Sequence, residues 1–213
     1  MMNYIKPSSK PIEETQFLYE LFEPFSEERK VKAKIKIKLD SASMNEHRKL
    51  IILVEGKAAL YRNRDNLLIT HLSPVSIFGI AELFSPNALN YFKAETDCTI
   101  KTITAKDVIT VLDKNSAWPA MTKLLSHYIK YLAYRDLMMV GNTTYGLIRN
   151  CIYEYHELPN EIKNTQSLST YIESKTALSR SRVMKILLGL KTGGYIEIKR
   201  GRLTHMEKLP REY

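Results

Sequence analysis

Apolar residues recur with two different periods along this chain, and the change falls at Ala105. Before it, short runs alternate apolar and polar positions, the pattern of strands with one buried face. The clearest is VKAKIKIKLD (31–40), in which Val31, Ala33, Ile35, Ile37 and Leu39 alternate with lysines. The spacing predicts one strand there, with a solvated lysine row that discourages edge pairing. KLIILVEGKAALYR (49–62) predicts two runs about a tight turn at Glu55-Gly56, and Asn63–Asn66 marks another turn. Leu67–Leu72 reads as a further strand, VSIFGIAELF (75–84) is apolar around one glycine and one glutamate, and KAETDCTIKTIT (93–104) alternates again. Ahead of the strands, Phe17, Leu18, Leu21 and Phe22 give a helical period that Pro24 ends. Many short strands between turn signals predict a small antiparallel barrel or jelly roll.

From Ala105 to Asn142 the only proline is Pro119 and the only glycine is Gly141. Thr104 or Asp107 is placed to cap a short helix, and Pro119 suits the first turn of a long one. Along the long helix Met121, Leu125, Tyr128, Leu132, Arg135 and Met139 fall at coiled-coil spacing, while Leu124, Ile129, Tyr131 and Leu137 widen the apolar surface. A helix apolar on more than one face is expected to contact two things, here its own β-domain and the same helix of a second subunit. Met121, Leu125, Tyr128, Leu132 and Met139 are the expected dimerisation residues. Arg135 either sets the register or marks the heptad frame as shifted. Gly141-Asn142 stops the helix, Thr143 or Thr144 caps the next, and Leu147, Ile148, Cys151, Ile152 and Tyr155 share one face of it. The expected domains are therefore 1–115, a long helix over 116–142, and 143–213.

Charge sharpens the last of these. The chain carries a net +9, and from Lys163 onward eleven Lys or Arg stand against four Glu, so about +7 of it lies in the final quarter. An anionic partner is implied, with its footprint near the C-terminus. No apolar run approaches the roughly 18 residues that span a bilayer, and MMNYIKPSSKP lacks a signal-peptide core. A cytoplasmic protein without membrane contact is expected. Cys98 and Cys151 make neither a disulfide framework nor a metal set, and the five His show no ligand spacing. No nucleophile–base pair or phosphate loop appears, so neither an enzyme nor a metal or cofactor is expected.

Residues 167–203 carry the readable chemistry. Ser167 or Ser169 caps a helix packed by Leu168 and Ile172, Thr176-Ala177-Leu178 forms a turn, and Ser179 caps a second helix. Val183, Ile186, Leu187 and Leu190 face inward, while Arg180, Ser181, Met184 and Lys185 face outward near its start. Gly193-Gly194 ends the helix, and Tyr195–Ile198 pairs with Leu203 across the basic tip Lys199-Arg200-Gly201-Arg202. This is the order of a winged helix-turn-helix, whose second helix enters the DNA major groove. Arg180, Ser181 and Lys185 are the expected base readers. Ser169, Ser179, Arg182, Lys199, Arg200 and Arg202 are the remaining expected DNA contacts, Arg182 and the tip on phosphates.

SRSRVMKILLGLKTGGYI followed by EIKRGRL resembles the recognition helix and wing of the CRP/FNR superfamily of transcriptional regulators. Upstream, LVEGKAALY resembles the family's strand–Gly–strand and FGIAELF its FGEL segment. GRLTHMEKLPREY, with LSRSRVMKIL and GGYI, further resembles the branch named for inhibition of hydrogen peroxide resistance. The resemblance implies an α+β chain: an N-terminal cyclic-nucleotide-binding-like β-barrel or jelly roll, a dimerisation helix and a C-terminal winged helix-turn-helix. It implies a homodimeric regulator of double-stranded DNA on a pseudo-palindromic operator, with RNA polymerase a candidate further partner. The ligand site departs from the family's pattern. Gly79 and Glu82 are separated by Ile80-Ala81, and the clamp region Asn90-Tyr91-Phe92-Lys93-Ala94 has no arginine. Lys93 offers a point charge without the guanidinium fork. Gly79, Glu82 and Lys93 therefore form an expected degenerate pocket, without conventional cyclic-nucleotide binding. The alternatives are a winged-helix adaptor for a protein partner and a regulator gated by another small ligand.

Overall fold

The computed structural model describes residues 9–38, 48–84 and 88–212. The chain divides into two compact units, residues 1–134 and 135–213. In the first, α1 (Ile12–Phe22) precedes β1 (Glu27–Val31), β2 (Lys36–Lys38), β3 (Lys49–Glu55), β4 (Ala58–Arg62), β5 (Leu68–Leu72), β6 (Ser76–Phe78), β7 (Asn90–Ala94) and β8 (Cys98–Thr104). Helix α2 (Ala105–Lys114) and most of α3 (Trp118–Met139) complete it. The strands form two antiparallel four-stranded sheets, ordered β1-β8-β3-β6 and β2-β7-β4-β5. Strand β3 explains why its sequence is apolar without alternation, since both of its faces are covered. Leu50 and Ile52 pack with Leu18, Phe22, Val108, Leu112 and Met121 of the helices. Ile51 and Leu53 pack with Leu72, Phe92 and Ile100 between the sheets.

Two expected strands break because the chain changes sheet inside them. The 31–40 run splits into β1 and β2 around Lys34, which has φ 72°. The Asp97 carboxylate accepts bonds from Ala33 N at 2.9 Å and Lys32 Nζ at 2.7 Å, holding the corner. Two of the run's lysines find separate partners: Lys32 pairs with Asp97, and Lys36 Nζ stands 4.8 Å from the centre of the Tyr91 ring. Leu39 and Asp40 lie outside the described residues. The 93–104 run likewise splits into β7 and β8 at Glu95–Asp97. Gly56, with φ 86°, passes so close to this turn that a Cβ there would sit 2.4 Å from Asp97 O. Thr104 is the cap of α2, its Oγ1 accepting from Asp107 N at 3.1 Å.

The second unit holds α4 (Thr144–Glu157), α5 (Asn160–Lys163), α6 (Leu168–Thr176), α7 (Arg180–Thr192) and the hairpin β9 (Ile196–Lys199) and β10 (Arg202–Met206). Thr143 Oγ1 caps α4, accepting from Gly146 N at 3.0 Å. Its buried face is Tyr145, Ile148, Cys151, Ile152 and Tyr155. Leu147, expected there, is half-buried, and Tyr145 instead turns inward and donates to Pro210 O at 2.8 Å. Ser167 Oγ caps α6, accepting from Thr170 N at 3.2 Å. Among the described residues no helix is long and apolar enough to cross a membrane.

Candidate nucleic-acid interface

Helix α7 buries Val183, Leu187 and Leu190, while Ile186, expected inward with them, is half-buried and lines the groove on the open side. At about 100° per residue, Ser181, Lys185 and Leu188 lie opposite that buried stripe, with Arg180 and Arg182 on its two flanks. Ser181, Arg182, Lys185 and Leu188 line one open groove with Ser179 and Thr144. Arg180 stands outside it, two-thirds exposed, with Nη1 3.4 Å from Glu173 Oε1. So long and solvated an ion pair is worth less than about 1 kcal/mol, and a phosphate or guanine edge would replace it readily. Ser179 occupies the N-cap position with extended backbone, but its hydroxyl makes no capping bond and meets Ser181 Oγ at 3.2 Å instead. The expected cap is therefore a position without its bond, and the first-turn N–H groups keep their outward positive potential.

The wing is tied to the start of α6. Lys199 pairs with Arg202 across Arg200 (φ 50°) and Gly201 (φ 79°), the two left-handed residues that a type I′ hairpin turn needs. Gly201 O accepts from Leu168 N at 2.8 Å, and a Cβ on Gly201 would lie 3.0 Å from the Ser167 Cβ. Ser169, half-buried at the same helix start, has its hydroxyl 3.1 Å from Ser167 Oγ. Lys199, Arg200 and Arg202 are exposed around the tip. Their contacts within the unit are loose: Lys199 Nζ is 3.8 Å from Glu197, and Arg202 Nη2 is 3.5 Å from Asn164 O. Six basic side chains, Arg180, Arg182, Lys185, Lys199, Arg200 and Arg202, are thus brought to two adjoining elements, α7 and the wing.

Sequence reasoning missed what holds this surface together. Lys175, on the last turn of α6, is buried with Nζ 2.7 Å from Glu154 Oε1 of α4 and 5.6 Å from the centre of the Tyr171 ring. A lysine near a helix C-terminus reads as a solvated group interacting with the helix dipole. The only signal was its position seven residues after Leu168, on the inward side of α6.

In the first unit, α3 is pinned to the sheets by two hydroxyls. Tyr128 donates to Ile77 O at 3.0 Å and Tyr131 to Ile69 O at 3.1 Å. A cavity of about 300 Å³ lies beside them, walled by Leu60, Ile69, Phe78, Gly79, Glu82 and Leu125 among others. Gly79 and Glu82 of the expected pocket are both there, and Glu82 is buried. Lys93 is not. It projects from the other side of β7, its Nζ 5.6 Å from the centre of the Tyr61 ring, because alternate residues of a strand face opposite sides. No Lys or Arg is among the described residues lining the cavity.

The five expected dimerisation residues separate in the same way. Met121 is 2% exposed in the core of its own unit, and Tyr128 is occupied with Ile77. These two face inward, so the heptad frame is shifted from the free side of α3. Leu125 and Leu132 are exposed, and Ile129 joins them. Met139 is half-buried in the second unit. Both thiols are buried: Cys98 is raised above its ordinary pKa by desolvation, and burial pushes Cys151 up to about 12.

A family described as winged helix-turn-helix DNA binding matches residues 144–211, the span from α4 to the hairpin. The c-di-GMP-responsive global regulator CLP of Xanthomonas campestris superposes with a TM-score of 0.72 at 13% identity, over 91% of this chain and 100% of that one. A cyclic nucleotide-binding domain containing protein of Listeria monocytogenes gives 0.62 at 16% identity, over 89% of this chain and 94% of that one. The fold is therefore that of the CRP/FNR regulators, a cyclic-nucleotide-binding-like β-domain with a winged helix-turn-helix DNA-binding domain. Within that class the inhibitor of hydrogen peroxide resistance of Escherichia coli K12 is 31% identical over 163 residues, 76% of this chain and 78% of that protein. The chain belongs to this family.

Proposed function

We propose that the protein regulates transcription in the cytoplasm as a homodimer on a pseudo-palindromic operator, without conventional cyclic-nucleotide binding. The assembled α7–wing surface carries this reading, because Arg180, Ser181, Lys185 and the 199–202 tip stand uncovered beside a fully buried α7 core. Arg180, Ser181 and Lys185 read bases, while Ser169, Ser179, Arg182 and the tip position the duplex on its phosphates. The exposed stripe Leu125, Ile129 and Leu132, at i, i+4 and i+7 on α3, supports pairing with a second copy. Two-fold symmetry then places half-sites about one helical turn apart.

The cavity supports the ligand half of the proposal. A cyclic phosphate taken from water needs a paired cation and donors, and no Lys or Arg is among the described residues lining this cavity. Cyclic nucleotide is accordingly expected to leave DNA affinity unchanged.

Two variants test the interface. Arg180→Ala loses discrimination at particular base pairs, by about 1–3 kcal/mol for a bidentate contact. Arg202→Ala weakens binding to every sequence alike. Both are read by titrating operator and scrambled duplexes; identical behaviour of the two variants would remove the division of roles between helix and wing.

The thiols give a further expectation. Peroxide attacks thiolate, and burial raises both thiols above their ordinary pKa, which disfavours that form. Peroxide treatment of the purified protein is expected to leave its operator affinity unchanged, as is a Cys151→Ala substitution. Peroxide-dependent loss of binding that disappears in the cysteine variants would overturn this.

A further inference from the structure

Two apolar side chains interrupt the otherwise polar outer face of α7. Met184 is 45% exposed and Leu188 is 64% exposed, although Val183, Leu187 and Leu190 already complete the helix's inward packing. They stand at i and i+4, close enough to touch on one face. Leu188 is also a wall of the groove that Ser181, Arg182 and Lys185 line. It sits seven residues after Ser181, hence about 10 Å further along the same line of the helix, a distance that matches about three base-pair steps.

We propose that Leu188, with Met184 beside it, is a specificity-determining contact that reads the 5-methyl groups of thymines in the operator. The inference rests on the proposed DNA-binding reading and deepens it. Charge decides the occupant. The apolar pair is bordered by Arg180, Arg182 and Lys185, and a duplex satisfies both halves of that surface at once. Its phosphates and guanine edges meet the cations, and thymine presents the methyl that the major groove offers to an apolar side chain. An acidic protein segment would also meet the cations, but it gives no dependence on a single methyl.

The test replaces thymine by deoxyuridine, which removes the methyl and keeps every hydrogen-bonding group. The full-length protein is first used to select its operator from random duplexes, and each thymine of a half-site is then changed in turn. At one or two positions the uracil duplex is expected to bind about fourfold more weakly, the effect of one lost methyl contact. In Leu188→Ala that penalty disappears while the guanine positions keep their preference, and in Lys185→Ala it remains. Equal affinity for thymine and uracil throughout a selected operator overturns the methyl contact and leaves the regulator reading standing, as does an unchanged penalty in Leu188→Ala. If selection enriches no sequence, the regulator reading itself falls, and this inference with it.

Discussion

Glu154→Ala is expected to destabilise the winged domain by about 1–3 kcal/mol, the cost of taking an acceptor from a buried charged donor when that acceptor is itself partly solvated. The Lys175 side chain is 1% exposed, and its ammonium lies 2.7 Å from the Glu154 carboxylate. Removing Glu154, whose own side chain is 37% exposed, takes a counter-ion from a buried ammonium that lies next to Tyr171 and the α4–α6 packing. Such a loss is a large share of the stability of a domain this size, so α6 loses its seat on α4. Operator binding falls with it, since α6 anchors both the turn into α7 and the wing tip. Lys175→Met is the informative companion. It keeps much of the volume and removes the charge that needs a partner, and exchanges of buried pairs for apolar groups are often neutral or stabilising. Urea unfolding of the two variants separates the cases. A Glu154→Ala midpoint equal to that of the unmodified protein, or a Lys175→Met loss just as large, would contradict this account of the pair.

Raising salt from 50 to 200 mM is expected to weaken operator binding by about four orders of magnitude. Arg182, Lys199, Arg200 and Arg202 are the proposed phosphate contacts of one subunit, and a dimer doubles them. Each neutralised phosphate contributes about 0.9 to the slope of log affinity against log salt, so the dimer gives a slope near −7 and a monomer about half that. The same titration therefore tests the stripe on α3. Charged substitution at Ile129, exposed on that stripe, should halve the slope by separating the subunits without touching the winged domain. A slope near zero would mean that the basic face of α7 and the wing does not meet phosphates at all.

How much of this was legible in the chain follows from the range of the interactions involved. The Thr104, Thr143 and Ser167 caps, the Pro119 start of α3 and the Arg200-Gly201 turn each depend on neighbours within a few residues. All of them stand in the structure at positions readable from sequence. Ser179 shows the limit even there, for its hydroxyl turns to Ser181. The alternation over 31–40 and 93–104 likewise identified extended backbone but not the sheet changes within it. The change near Lys34 is set by Asp97 and Ala94, and the one at Glu95–Asp97 by Gly56 and Lys57, in each case residues far away in the chain.

The sequence by itself determined the order of elements, the winged helix-turn-helix, and the buried stripe Val183, Leu187 and Leu190 of α7, because periodicity and turn chemistry act locally. Only the tertiary structure decided that Met121 and Tyr128 face inward while Leu125, Ile129 and Leu132 remain free. The same holds for the removal of Lys93 from the cavity and for the seating of Lys175 on Glu154. Each of these depends on which distant surface covers a side chain, and apolar or charged character alone does not say which of several possible surfaces that will be.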